Sequence, residues 1–105
     1  MDWTNSFDDE GFLLDLKVWN QDIGRKMAEE QFGIQTTDFH MRIINFMREY
    51  YFKWGTLPMV KTIRDRFNIS SEQLDEMFKR GQSTSRGVIC KLAGLPKLLC
   101  IASGC

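Results

Sequence analysis

Between Thr37 and Gly55 the chain writes one long amphipathic helix. Apolar residues recur at Phe39, Ile43, Ile44, Phe46, Met47, Tyr50, Tyr51 and Trp54, at the spacing of one wide helical face. Thr36 or Thr37 can cap its start, and Gly55 ends it. A helix this apolar predicts a mainly helical domain with this element at the centre of the core. Its aromatics belong to packing rather than to a ligand box. At 105 residues the chain is read as one domain, residues 1–105.

The flanking segments fit that class. Apolar residues at Trp19, Ile23, Met27 and Ala28 predict an earlier helix to about Phe32, with Asn20 as N-cap and Gly33 as stop. Pro58 can open the next helix at its first turn, with Met59, Ile63 and Phe67 as its buried face and Asn68 as a left-handed turn residue. Ser70 or Ser71 then caps a helix through Leu74, Met77 and Phe78. Two short helices joined by a tight turn resemble a helix-turn-helix. Gly81 to Gly87 reads as a polar, flexible loop, and Val88 to Ala93 as a last short helix ended by Gly94 and Pro96. Phe7-Asp8-Asp9-Glu10-Gly11-Phe12-Leu13 predicts a short N-terminal β-hairpin resting on the helices.

Charge and composition narrow the function. Lys+Arg and Asp+Glu balance at 14 each, which argues against coating nucleic acid by bulk electrostatics. No run reaches the length of a membrane span, and Met1-Asp2-Trp3-Thr4-Asn5 does not read as a signal peptide, so a cytoplasmic protein is expected.

All three cysteines, Cys90, Cys100 and Cys105, crowd at one end, spaced by ten and then five. That is neither a disulfide framework nor the close pairing of a zinc or thioredoxin-type motif, and His40 lies far away in sequence. No metal and no bound cofactor are expected. Gly94-Leu95-Pro96 predicts a hinge, with an arm over residues 94–105. Cys90 precedes it and can be the fixed thiol; Cys100 or Cys105 follows and can be the mobile one. Thiolate attack on sulfur would then run through a mixed disulfide or persulfide. Lys91, Lys97 and Arg86 can favour the thiolate by positive charge.

Cys90-Lys91-Leu92-Ala93-Gly94-Leu95-Pro96-Lys97 resembles the C-terminal signature of the DsrC/TusE family of dissimilatory sulfite reductase gamma-subunit-like sulfur carriers. Asp9 to Leu13 with Trp19 resemble the family's opening segment. His40, Ile43, Ile44, Phe46, Arg48, Tyr50, Tyr51, Gly55, Pro58, Val60 and Lys61 resemble its central block, and Leu74, Met77, Phe78 and Gly81 the segment before the arm. The resemblance implies a helical fold with a small hairpin and a flexible arm. It implies a protein co-substrate rather than a stand-alone enzyme. An arm cysteine carries sulfur, and an upstream cysteine joins it in a disulfide or trisulfide that a membrane-bound reductase resolves. Members of the TusE type keep only the distal cysteine, so Cys90 favours a DsrC-like role. The implied partners are a sulfite reductase or related sulfur-transfer proteins, docked through Lys91, Gly94, Pro96 and Lys97.

The chain departs from the family after Lys97. The family usually continues with proline, a small residue, glycine, cysteine and one last residue; here Leu98-Leu99-Cys100-Ile101-Ala102-Ser103-Gly104-Cys105 stands instead. Cys100 arrives one position early and Cys105 is terminal. Spacing favours Cys100 as the sulfur-bearing thiol, while Gly104-Cys105 resembles the family's glycine–cysteine pair. Paralogues that have lost the full cysteine pattern imply an alternative, a DNA-binding regulator using the helix-turn-helix. Lys61, Arg64, Arg66, Lys79 and Arg80 would contact phosphates, against the repulsion of Asp65, Glu72, Asp75 and Glu76.

Overall fold

The structure is a computed structural model that describes Phe12, Leu13 and residues 15–96. Among these residues the regular elements are a 3-10 turn, Leu16–Val18, and five helices. The helices are α1 (Gln21–Phe32), α2 (Asp38–Trp54), α3 (Val60–Phe67), α4 (Ser71–Phe78) and α5 (Ser85–Leu92). The mainly helical class is as expected. The expected hairpin lies outside the described residues except for Phe12 and Leu13.

Local chemistry sets most helix ends. The Asn20 side chain accepts the Ile23 N–H at 2.9 Å to start α1, and Gly33, at φ 66°, closes it. Thr37 caps α2 in a reciprocal box: Thr37 Oγ1 accepts the His40 N–H, and His40 Nδ1 accepts the Thr37 N–H at 3.1 Å. Gly55, at φ 74°, ends α2. Ser70 and Gln73 form the same box at α4. Asn68, at φ 55°, turns α3 into α4, giving the expected tight helix pair.

Four expectations change. First, α5 rather than α2 is the hub, because it packs against α1, α2 and α4. Val88, Ile89, Cys90, Leu92, Ala93 and Leu95 are all buried; a segment so nearly apolar throughout has no face to give to water. Second, α2 overhangs the core. Met41, Ile43, Ile44 and Met47 are buried, but Phe39 is 37% and Trp54 61% exposed. Its 17 residues span about 25 Å, roughly twice the reach of the eight-residue α5. Third, Pro58 stands before the N-cap Met59 rather than in the first turn, and Met59 is 69% exposed. Leu57 fills the core in its place, beside Ile63, which is buried as expected. Fourth, the polar loop stops at Thr84, whose hydroxyl accepts the Gly87 N–H at 3.1 Å and starts α5 early. Ser85 is buried and donates to Asp75 Oδ1 at 2.6 Å, tying α5 to α4.

The root of the C-terminal arm as candidate functional site

Cys90 sits in the last turn of α5 and is fully buried. It is disulfide-bonded. Cys100, Cys105 and Lys97 lie outside the described residues.

A helix leaves its final carbonyls without partners inside the helix, and each needs one when buried. At the end of α5 every one of them is satisfied. Gly94 adopts φ 69°, which folds the chain back. The Leu95 N–H then reaches Cys90 O at 3.3 Å and the Gly94 N–H reaches Lys91 O at 3.1 Å, the paired bonds of a left-handed helix end. The next two carbonyls are taken by side chains from distant elements. Trp19 Nε1–H donates to Leu92 O at 2.8 Å, and Arg48 Nη1–H donates to Ala93 O at 2.8 Å. The Arg48 guanidinium also lies 4.5 Å over the Trp19 ring and 5.0 Å over Phe52. Burial lowers its pKa from the usual arginine range.

Two glycines make this approach possible. A Cβ on Gly94 would stand 2.5 Å from Trp19 Cδ1, and one on Gly24 would stand 3.2 Å from Leu92 O and 3.3 Å from Trp19 Cζ2. Gly94 is therefore buried under an indole. At the position of the expected hinge the backbone is held through Leu95, which is fully buried, and Pro96 is half-buried. Gly94 shapes the arm's root from inside.

Two of the basic residues expected near the thiols, Lys91 and Arg86, are described. The Lys91 ammonium stands 5.0 Å over the Phe12 ring and 5.3 Å over Phe32. Arg86 Nε–H donates to Pro58 O at 2.9 Å, joining α5 to the α2–α3 connection. On the helix pair, Lys61 pairs with Asp65 at 3.1 Å and Arg64 Nη1–H donates to Ser71 Oγ at 2.7 Å. Arg66 covers Phe46 and Phe67, and Arg80 Nη1–H donates to Lys79 O at 2.7 Å. Lys79 is exposed. Among the described residues no cluster of His, Cys, Asp and Glu could hold a metal ion. No helix of the described residues is long and apolar enough to cross a membrane.

Sequence reasoning singled out Cys90 and the Gly94 turn but gave Trp19 and Arg48 no part in the site. One signal was available. Arg48 falls on the Ile44, Tyr51 face of α2, where a cation among apolar neighbours needs a buried acceptor.

This geometry rests in a chain with clear relatives. The family model described as DsrC like protein matches residues 2–101. The chain is 33% identical over 97 residues to the sulfurtransferase TusE homolog of Haemophilus influenzae, covering 86% of this chain and 85% of that protein. It is 31% identical over 90 residues to the gamma subunit of the dissimilatory-type sulfite reductase of Nitratidesulfovibrio vulgaris, covering 86% and 83%. The NMR structure of Allochromatium vinosum DsrC superposes with a TM-score of 0.72 at 30% identity, over 87% of this chain and 84% of that one.

Proposed function

The chain belongs to the DsrC-like family, and on that premise we propose that it is a sulfur carrier which presents an arm thiol to a sulfur-transfer partner. Cys100 or Cys105 bears the sulfur as a persulfide, with Cys100 favoured by spacing. Cys90 is the resolving thiol. Its thiolate attacks the inner sulfur of the persulfide, a disulfide forms, and hydrosulfide leaves with the electron pair of the broken sulfur–sulfur bond. Two electrons and two protons from a thiol/disulfide reductase, membrane-bound in the family pattern, return both thiols. The partner that loads the arm is a sulfite reductase of the dissimilatory type or a sulfurtransferase. Both classes stand among the relatives, and the exchange belongs to the cytoplasm.

The observation that supports this reading is Cys90 itself: a buried, disulfide-bonded cysteine in the last turn of α5. A buried thiol is protected from casual oxidants and is reached by the chain's own arm at high effective concentration.

The test is sulfur loading. The reduced protein, incubated with a persulfide donor such as a cysteine desulfurase with cysteine, is digested with trypsin. In Cys90→Ser protein, where no resolving thiol expels the sulfur, the peptide Leu98 to Cys105 gains the mass of one sulfur, reversibly with dithiothreitol, and the gain disappears when the bearing cysteine is also replaced. No gain on that peptide, with donor and with sulfite reductase plus sulfite alike, removes the carrier function.

A further inference from the structure

The end of α5 is held more firmly than a helix end needs. Two of its carbonyls are closed by the local turn at Gly94, which would suffice to stop a helix at a surface. The other two recruit Trp19, which lies 73 residues from its acceptor, and Arg48, which lies 45 residues from its own. Arg48 is half-buried, and water could satisfy a guanidinium at less cost in desolvation than a peptide carbonyl. These donors act on the residues that stand between Cys90 and the emerging chain. Gly24 and Gly94 leave room for the indole between them.

We propose that Trp19 and Arg48 form a latch on Leu92 O and Ala93 O, and that the latch sets how readily Cys90 is bridged to the distal thiol. The proposal rests on the sulfur-carrier reading and deepens it. With the latch closed, the chain is fixed through Leu95, so ring closure onto Cys90 starts from a fixed point. With the latch open, the final turn of α5 and Gly94 gain freedom, and ring closure must order them as well. Arg48 and Trp19 are positioning residues; neither is assigned contact with a reacting sulfur.

The experiment measures bridge formation in glutathione buffers. Protein dithiol and glutathione disulfide exchange to protein disulfide and two glutathione thiols, so electrons and protons balance. The full chain is compared as wild type, Arg48→Met, Arg48→Lys and Trp19→Phe, and the Cys90-bridged fraction is read by mass after acid quenching. Arg48→Met lowers the effective concentration of the thiol pair roughly tenfold, as expected for a lost charge-assisted hydrogen bond. Arg48→Lys restores part of it, and Trp19→Phe, which keeps a ring but loses the donor, moves it in the same direction. A purely structural role would lower thermal stability and leave the midpoint glutathione ratio unchanged in folded protein; that result overturns the latch. If Arg48→Met does not fold, the other two variants decide.

A wild type that forms no intramolecular bridge defeats the carrier mechanism instead. The latch is then judged separately by amide exchange in the reduced protein. Faster exchange at Gly94 and Leu95 in Trp19→Phe or Arg48→Lys than in wild type supports it, and unchanged exchange overturns it.

Discussion

A methyl group at position 94 would meet Trp19 Cδ1 at 2.5 Å and Cγ at 2.9 Å, on a backbone at φ 69°. Steric strain and overpacking therefore act together. Gly94→Ala is expected to cost about 2–4 kcal/mol in urea unfolding, against a few tenths for a change on an exposed face. His40 gives a second prediction at this scale. Its ring packs edge-on to Phe78 at 5.1 Å while Nδ1 accepts from Thr37. Burial is the main cause that holds its pKa below 6.5; a backbone hydrogen bond to Met77 opposes this and the Arg80 charge adds to it. The unfolded chain then binds the proton at higher pH than the folded one. Stability is full above about pH 6.5, falls as pH drops below that, and levels off below the folded-state pKa. Urea midpoints between about pH 7.5 and about pH 5 should show this fall, and His40→Gln, which keeps an acceptor in the capping box, should flatten it. What was hidden from the sequence at this scale was partnership. Gly94 was legible as the stop of a helix, but that Trp19 and Arg48 converge above it depends on contacts far apart in the chain.

Helix ends were largely legible because they depend on neighbours in sequence. Asn20, Thr37, Ser70, Gly33, Gly55 and Asn68 do at each terminus what side-chain oxygens and left-handed residues do in any helix. Ser70→Ala should therefore cost about 1 kcal/mol in urea unfolding. The start of α5 was missed because Gly81 to Gly87 is polar throughout and holds several hydroxyls able to cap; Thr84 is the one that does, and Ser85 turns inward to Asp75 on α4. Burial along α2 and at Met59 was over-read for a related reason. Periodicity identifies a face, but the length of the elements opposite decides how much of it is covered. The α3–α4 pair also bears on nucleic acid. Lys61, Arg64, Arg66 and Arg80 already meet a carboxylate, a hydroxyl, aromatic rings and carbonyls. Anisotropy with mixed-sequence DNA over a salt series is expected to show no salt-sensitive binding at micromolar protein.

At the scale of the whole molecule, α1, α2 and α4 pack around α5 among the described residues, and the last turn of α5 holds a buried cysteine before a pinned turn. The short α5 is both the core's hub and the platform for the arm, so packing and the proposed chemistry share one element. The family was legible from the signature at the base of the tail. The firmness of its root was not, because glycine and proline in sequence mark a change of direction and do not say what packs against it. The most direct measurement is mass mapping after mild oxidation of the reduced protein. Trypsin should release the Gly87–Lys91 peptide, carrying Cys90, joined by a disulfide to the Leu98–Cys105 peptide. Either Cys100→Ser or Cys105→Ser should abolish that product in monomeric protein. A Cys90 that stays reduced while Cys100 and Cys105 oxidise with each other, or between molecules, would contradict the account.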